Sequence, residues 1–221
     1  HGAIFSTACA SVRTISRGVE VAVDVGIDLA ERTTDAEQER SSHQQGTMPW
    51  ALDQIEGAVN GVLGDYLTRR ANPLALEMTL RHDGIARSPE QLVTLLEQPT
   101  ATLCIFVHGL ACTEWCWNMQ SASYGEDAGY TYASQLARDL DITSVFVRYN
   151  TGRAIKENGH ALANLIEELA AAYPEPLDRI VLIGHSMGGL VSRVAAADAH
   201  QRELAWASSL EHIICLGSPH H

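Results

Sequence analysis

The sequence predicts an α/β protein built on an open, mostly parallel sheet with helices on both faces. Three observations carry that prediction. From about Leu74 onward, short apolar runs alternate with segments of helical periodicity. Strands joined through helices pair in parallel with right-handed crossovers, which yields an open doubly wound sheet. One strand, Arg179 to Ile183, passes into a helix through the small-residue turn Gly184-His185-Ser186-Met187-Gly188-Gly189. At 221 residues, 46% hydrophobic, the chain can form one sizeable core with an appendage.

Ser11 to Ala30 carries apolar residues at both strand and helix spacing, and its length favours a helix. Thr33 to Met48 is polar and lacks aromatics, so it reads as a loop or linker. Leu52, Ile55, Val59, Val62 and Leu63 give Trp50 to Leu67 a helical period. Residues 1–70 thus read as an N-terminal helical segment with a polar linker, and residues 71–221 as the α/β core. Within the core, Leu74 to Leu80 is a predicted strand, followed by a turn at His82-Asp83-Gly84. Thr102 to Val107 is a buried strand, Tyr132 to Leu140 a helix, and Thr143 to Tyr149 a strand. Ala161 to Tyr173 is a helix stopped by Pro174. Arg179 to Ile183 is a strand, Met187 to about Gln201 a helix, and His212 to Leu216 the last strand.

Acidic residues outnumber basic ones 27 to 15, for a net charge of −12. A nucleic-acid or anionic-membrane partner would want a basic face, so the balance argues against both. No apolar run has the length of a membrane-spanning helix, so no integral membrane segment is expected. The start shows no signal-peptide pattern. The five cysteines, Cys9, Cys104, Cys112, Cys116 and Cys215, fit neither a disulfide framework nor a zinc site. Free thiols in a cytoplasmic protein are the expectation, with a Cys112–Cys116 pair across a loop as the alternative. Cys104 and Cys215 sit in apolar runs and read as core residues.

In open α/β sheets, chemistry gathers beyond the carboxyl ends of the strands. Four loops qualify, beginning at His108-Gly109-Leu110, at Asn150-Thr151-Gly152-Arg153, at Ser186, and at Ser218-Pro219-His220-His221. The third contains G-x-S-x-G between a strand and a helix, the setting of a nucleophile elbow. A serine there is lifted clear of the sheet on a strained turn. Side chains at Gly184 and Gly188 would collide with the crossing strand and helix, and Gly189 permits close helix–sheet packing. The helix start offers free N–H groups and a positive dipole to a developing oxyanion. A phosphate-gripping turn is the competing reading, but neither G-x-G-x-x-G nor the Walker pattern is present. An oxyanion hole needs two N–H donors, one after the nucleophile and one from an earlier strand loop. Met187 supplies the first and Leu110 the second, with Gly109 allowing close approach.

These motifs resemble those of the α/β-hydrolase superfamily, in its lipase/esterase branch. The order of "FVHGL", "VRYNTGR", "ENGHALANLIEEL", "VLIGHSMGGLVSR" and "IICLGSPHH" is similar to bacterial relatives of GPI inositol-deacylases. The upstream "GVLGDYLTRRANPLALEMTLR" resembles that family's entry segment, and the likeness spans about residues 57 to 221. The resemblance implies an α/β-hydrolase fold and hydrolysis of a small-molecule or lipid ester by a Ser-His-Asp triad, with no metal and no cofactor. It implies Ser186 as nucleophile, Leu110 and Met187 as oxyanion donors, and His108 and Gly109 as loop support. Gly184, His185, Gly188 and Gly189 then form the elbow.

None of the ten histidines is a good base by position. His1, His43 and His82 precede the core motifs. His160 begins a predicted helix, His200 lies several turns along another, and His212 sits at the wrong end of its strand. His185 neighbours the serine but points the opposite way. His220 and His221 lie at the correct edge, yet the chain order of this fold is Ser, then acid, then His. The acids after Ser186 are Asp198, Glu203 and Glu211, none beyond a strand's carboxyl end. The resemblance implies further strands that carry the acid and the histidine, so the expectation is a C-terminally truncated segment with little or no activity. A non-catalytic binding module on the same fold, and an acyltransferase using the same serine, are the alternatives. Arg148, Asn150 and Arg153 either line an acyl pocket or brace their loop, with bracing favoured. Trp115 and Trp117 suit an acyl wall and core packing equally.

Overall fold

The computed structural model describes residues 50–118 and 131–219. The elements run α1 (Trp50–Arg69), β1 (Thr79–His82), β2 (Ile85–Arg87), α2 (Pro89–Val93), β3 (Thr102–Val107) and a 3-10 turn (Glu114–Asn118). Then come α3 (Tyr132–Leu140), β4 (Thr143–Arg148), α4 (Ile155–Ala172), β5 (Arg179–His185), α5 (Met187–Gln201), a second 3-10 turn (Ala205–Ser209) and β6 (Leu210–Leu216). The expectations for Ser11 to Ala30 and Thr33 to Met48, and for Cys9, His1, His43, His220 and His221, lie outside the described residues.

The six strands form one sheet in the order β2-β1-β4-β3-β5-β6. The pairs β4–β3, β3–β5 and β5–β6 are parallel, and β1 is antiparallel to both β2 and β4. All six residues of β3 are buried, which is why it reads as an unbroken apolar run rather than an alternating one. Its side chains still alternate between faces. Leu103, Ile105 and Val107 join Val145, Val147, Ile180 and Leu182 in the core that α4 and α5 cover. Cys104 and Phe106 turn to the other face, where Leu136 of α3 and Trp117 pack. Leu162, Ile166 and Leu169 of α4 are all but fully buried. Each contributes about 2 kcal/mol by leaving water.

Several boundaries differ from the sequence reading, and for two of them the local reason is plain. Leu74 to Met78 is not strand, because its backbone is tied to α1 instead of to a neighbouring strand. Asn60 donates to the Leu74 carbonyl at 2.8 Å and accepts from the Leu76 N–H at 2.9 Å. β1 therefore starts at Thr79. It pairs with β2 through a two-residue turn in which Asp83 and Gly84 both have positive φ, at 50° and 75°. An Asp-Gly pair suits that turn because both positions need left-handed backbone. α4 begins at Ile155, so His160 lies inside it and not at its start. The buried Asn158 side chain occupies this first turn and a half, donating to the Asn150 and Arg153 carbonyls. β6 begins at Leu210, which makes His212 its third residue.

Candidate active site

The turn between β5 and α5 holds Ser186 at φ 51° and ψ −119°. That region is nearly closed to residues with a Cβ and costs on the order of 1–3 kcal/mol. The surroundings fix it. The Ser186 N–H donates to the Leu216 carbonyl of β6 at 2.8 Å, and its carbonyl accepts from the Gly189 N–H at 3.2 Å. A Cβ at Gly184 would collide with the Gly189 backbone and lie 2.5 Å from the Gly188 carbonyl carbon. Only glycine lets strand and helix cross that closely. The unpaired N–H groups and positive dipole end of the 15-residue α5 therefore lie at Ser186.

The loop after β3 lies against this turn. A Cβ at Gly109 would come within 3.2 Å of the Ser186 Cβ and 3.0 Å of the His185 Nδ1. His108 is fully buried and stacks on Tyr149 with ring centroids 4.5 Å apart. The Tyr149 N–H donates to His108 Nε2 at 3.4 Å, which assigns the proton to Nδ1. Nδ1 then donates to the Gly109 carbonyl at 3.0 Å. The Cys112 N–H reaches the same carbonyl at 3.3 Å. In a trans peptide the N–H points opposite to the C=O. Holding the Gly109 carbonyl on both donors therefore fixes the direction of the Leu110 N–H. Ala111, next along, has a left-handed φ of 56° and donates its N–H to Thr151 Oγ1 at 3.0 Å.

Burial, opposed only in part by the Gly109 hydrogen bond, depresses the His108 pKa from 6.5 to about 4. An unfolded chain would bind a proton at this residue between those values, and the folded one does not. Stability from this group is thus complete above pH 6.5 and is lost as pH falls toward 4. The shift corresponds to about 3 kcal/mol. Urea unfolding at pH 7 and pH 4.5 should show that loss, and His108→Gln should flatten it. An unchanged pH slope in the variant would contradict the assignment.

Among the described residues no histidine ring is hydrogen-bonded to the Ser186 hydroxyl, although His185 Nδ1 lies on the same side of the Gly109 loop. His160 pairs with Asp198 at 3.0 Å, and Arg202 joins the same carboxylate at 2.8 Å. Asp198 sits twelve residues beyond Ser186 on a helix, about 18 Å along it. His212 is exposed beside Glu211, and His82 beside Asp83. The His185 ring stands edge-on to Trp117, 6.3 Å between centroids. Cys104, Cys112, Cys116 and Cys215 are free thiols, and burial pushes Cys104 and Cys116 up to about 12. Cys104 is buried as the sequence suggested, whereas Cys215 is only half-buried. No group of three or more His, Cys, Asp or Glu side chains among the described residues is placed to hold a metal ion. No described helix is long and apolar enough to cross a membrane.

Arg148 and Asn150 brace their surroundings, and Asn150 also borders a hollow with Arg153 and Asn158. Arg148 is 1% exposed and makes two 2.6 Å bonds to Glu114, one of 2.6 Å to Asp53 and one of 3.4 Å to Glu56. Burial alone would raise the Asp53 carboxyl, but hydrogen bonds from Arg148 and Trp115 outweigh it and leave it low. For Glu56 burial wins over Arg148, and its carboxyl is raised. Asn150 donates to the Gly64 carbonyl and to Thr68 on α1. Trp115 donates to Asp53 at 2.7 Å. Trp117 packs edge-on to Phe106 at 4.9 Å as a core residue, and also borders an apolar hollow of about 280 Å³ with Ile183 and Leu216. No local pattern in the sequence marks Asp53, Glu56 and Glu114 as partners of Arg148.

A mostly parallel sheet with helices around it and a strained serine at its strand–helix turn is the α/β-hydrolase fold, a hydrolase-type architecture. Residues 102–221 match the PGAP1-like alpha/beta domain. That is more than half of the chain, and the protein belongs to this family. A comparison with curated proteins found no match.

Proposed function

We propose that the protein is a serine hydrolase of carboxylic esters, acting through an acyl-enzyme on Ser186. The observation that carries this reading is the conformation of Ser186. A residue with a Cβ is kept at φ 51°, where glycine would be more stable, with the Gly109 loop against it. In the proposed reaction Ser186 Oγ attacks the ester carbonyl and gives its proton to a base. The oxyanion is held by the N–H groups of Leu110 and Met187. Collapse expels the alcohol and leaves the acyl-serine, which water hydrolyses to the free acid.

A base and its orienting acid are required, and the described residues set neither against Ser186. An unassisted serine is a poor nucleophile. If no residue outside the described ones supplies that base and acid, p-nitrophenyl ester turnover is expected to be little or none. Measurable turnover that disappears in Ser186→Ala would mean that such a residue supplies the base.

The test of the reading itself is fluorophosphonate labelling of the native protein, with the label located by mass spectrometry. Labelling at Ser186, absent in Ser186→Ala, is the expected result. Failure to label Ser186 would favour a non-catalytic binding module on the same fold. Ser186→Gly should also lose labelling while gaining about 1 kcal/mol of stability from relieved backbone strain. Acyl transfer to an alcohol uses the same acyl-serine, and product analysis with an added alcohol separates it from hydrolysis.

A further inference from the structure

α1 precedes the residues matched by the family, which begin at Thr102. Its loop-facing side is nevertheless built against the segment that follows Gly109. Gly57 and Gly61, one helical turn apart, leave no room for a side chain. A Cβ at Gly57 would lie 2.7 Å from the Thr113 methyl and 3.0 Å from the Cys112 carbonyl oxygen. A Cβ at Gly61 would lie 2.7 Å from the Ala111 Cβ and 2.8 Å from its Cα. On the same face, Gln54 donates to Thr113 Oγ1 at 3.2 Å. Asp53 accepts from Trp115 at 2.7 Å and from Arg148 at 2.6 Å, while Arg148 also holds Glu114. Ala111, the residue beneath Gly61, is one of the few with a Cβ and a left-handed φ, at 56°. Strained backbone of this kind persists only where its surroundings over-determine it. Here those surroundings are α1 on one side and the Thr151 hydroxyl on the other.

We propose that α1 is a positioning element of the active site: the Gly57–Gly61 face clamps Ala111 to Glu114 and thereby sets where the Leu110 N–H points. The inference rests on the acyl-hydrolysis reading and extends the working unit upstream of the family match, to at least Asp53. Gly61, Gly57 and Asp53 act through the loop and touch no substrate.

The experiment compares three variants. Gly61→Ala pushes on Ala111. Gly61→Ala with Ala111→Gly returns much of the space and suits the left-handed φ at 111. Val59→Ala loosens α1 on its other side, against Leu67 and Leu74. The readouts are the rate constant for fluorophosphonate labelling of Ser186 and amide hydrogen exchange over residues 109–114. Losing an oxyanion donor costs about 100- to 1,000-fold, so displacing one should slow labelling about 10-fold in Gly61→Ala. Exchange over 109–114 should rise in the same variant. The double variant should recover most of the rate, and Val59→Ala should label at the wild-type rate whatever its melting temperature. Equal slowing in Val59→Ala, or wild-type labelling and exchange in Gly61→Ala, would make α1 a merely structural helix. If the wild type fails to label, the acyl-hydrolysis reading falls, and the exchange comparison still decides whether α1 clamps the loop.

Discussion

Arg148→Met is expected to destabilise the protein by about 3–5 kcal/mol, the cost of removing one partner from a buried ion pair. The guanidinium is 1% exposed, and Glu114, which takes two of its bonds, is 7% exposed. Methionine would fill the space, so lost volume is not the main term. The main term is the Glu114 carboxylate, left in a dry site with no cation on it. Asp53 and Glu56 contribute less, since at 24% and 38% exposed they still reach water. Nearby Arg81 attracts the Glu114 carboxylate through space without bonding it, so it offsets only part of the loss. Its bonded partner is the Gly84 carbonyl, and its Nε is buried with no partner among the described residues. For a chain of this size the loss corresponds to a fall in melting temperature of about 10 °C. The double variant Arg148→Met, Glu114→Met should recover a large part of it, because apolar replacement of a whole buried pair is often neutral. If the double variant melts no higher than the single one, the stabilisation lies in packing around Arg148 and not in the orphaned carboxylate.

The sheet was legible where one strand or turn carried its own signal. Thr102 to Val107 reads as a buried strand because apolar side chains occupy both of its faces. The β5–α5 junction reads as a turn because glycine is required on each side of Ser186. The three-residue β2 and the five-residue α2 are too short to set a period, and they were not foreseen. The first turns of α4 were missed because Asn158 and Gly159 are poor helix formers. Tertiary contacts override that preference. Asn158 bonds the loop carbonyls, and a side chain at Gly159 would run into Val194 of α5. The ion cluster was invisible for a different reason. Asp53 and Arg148 lie 95 residues apart, and no local pattern announces a pairing at that range. The sequence favours bracing over lining for Arg148, yet nothing in "VRYNTGR" names α1 as the thing it braces. The sequence offers no sign that His108 holds the Gly109–Leu110 peptide, because that contact depends on its two ring partners.

Gly188→Ala should damage the site more than Gly189→Ala, although the residues adjoin and the added methyl is the same. A Cβ at Gly188 would run into the Val107 carbonyl oxygen and lie 2.5 Å from the His108 carbonyl oxygen. Both are backbone atoms: Val107 is held by ladders on each side of the central strand, and the His108 carbonyl accepts from the Tyr149 hydroxyl at 2.8 Å. They cannot yield, so α5 must move. Overpacking typically costs 1–3 kcal/mol, and a clash between two rigid elements belongs near about 3 kcal/mol. A Cβ at Gly189 instead meets the Ser218 hydroxyl and, at 3.0 Å, the Cys215 sulfur. The serine hydroxyl can rotate away, leaving the Ser218 Cβ contact at 3.0 Å, so about 1 kcal/mol is expected there. The functional contrast should be sharper than the thermal one. Moving the start of α5 displaces the Met187 N–H relative to Leu110 in the proposed oxyanion hole, and a shift of about 1 Å in a reacting geometry costs about 100-fold in rate. Gly188→Ala should therefore label with fluorophosphonate about 100-fold more slowly, and Gly189→Ala within a few-fold of wild type. Equal losses in the two variants would mean that the contact between α5 and the end of β3 does not set the oxyanion geometry.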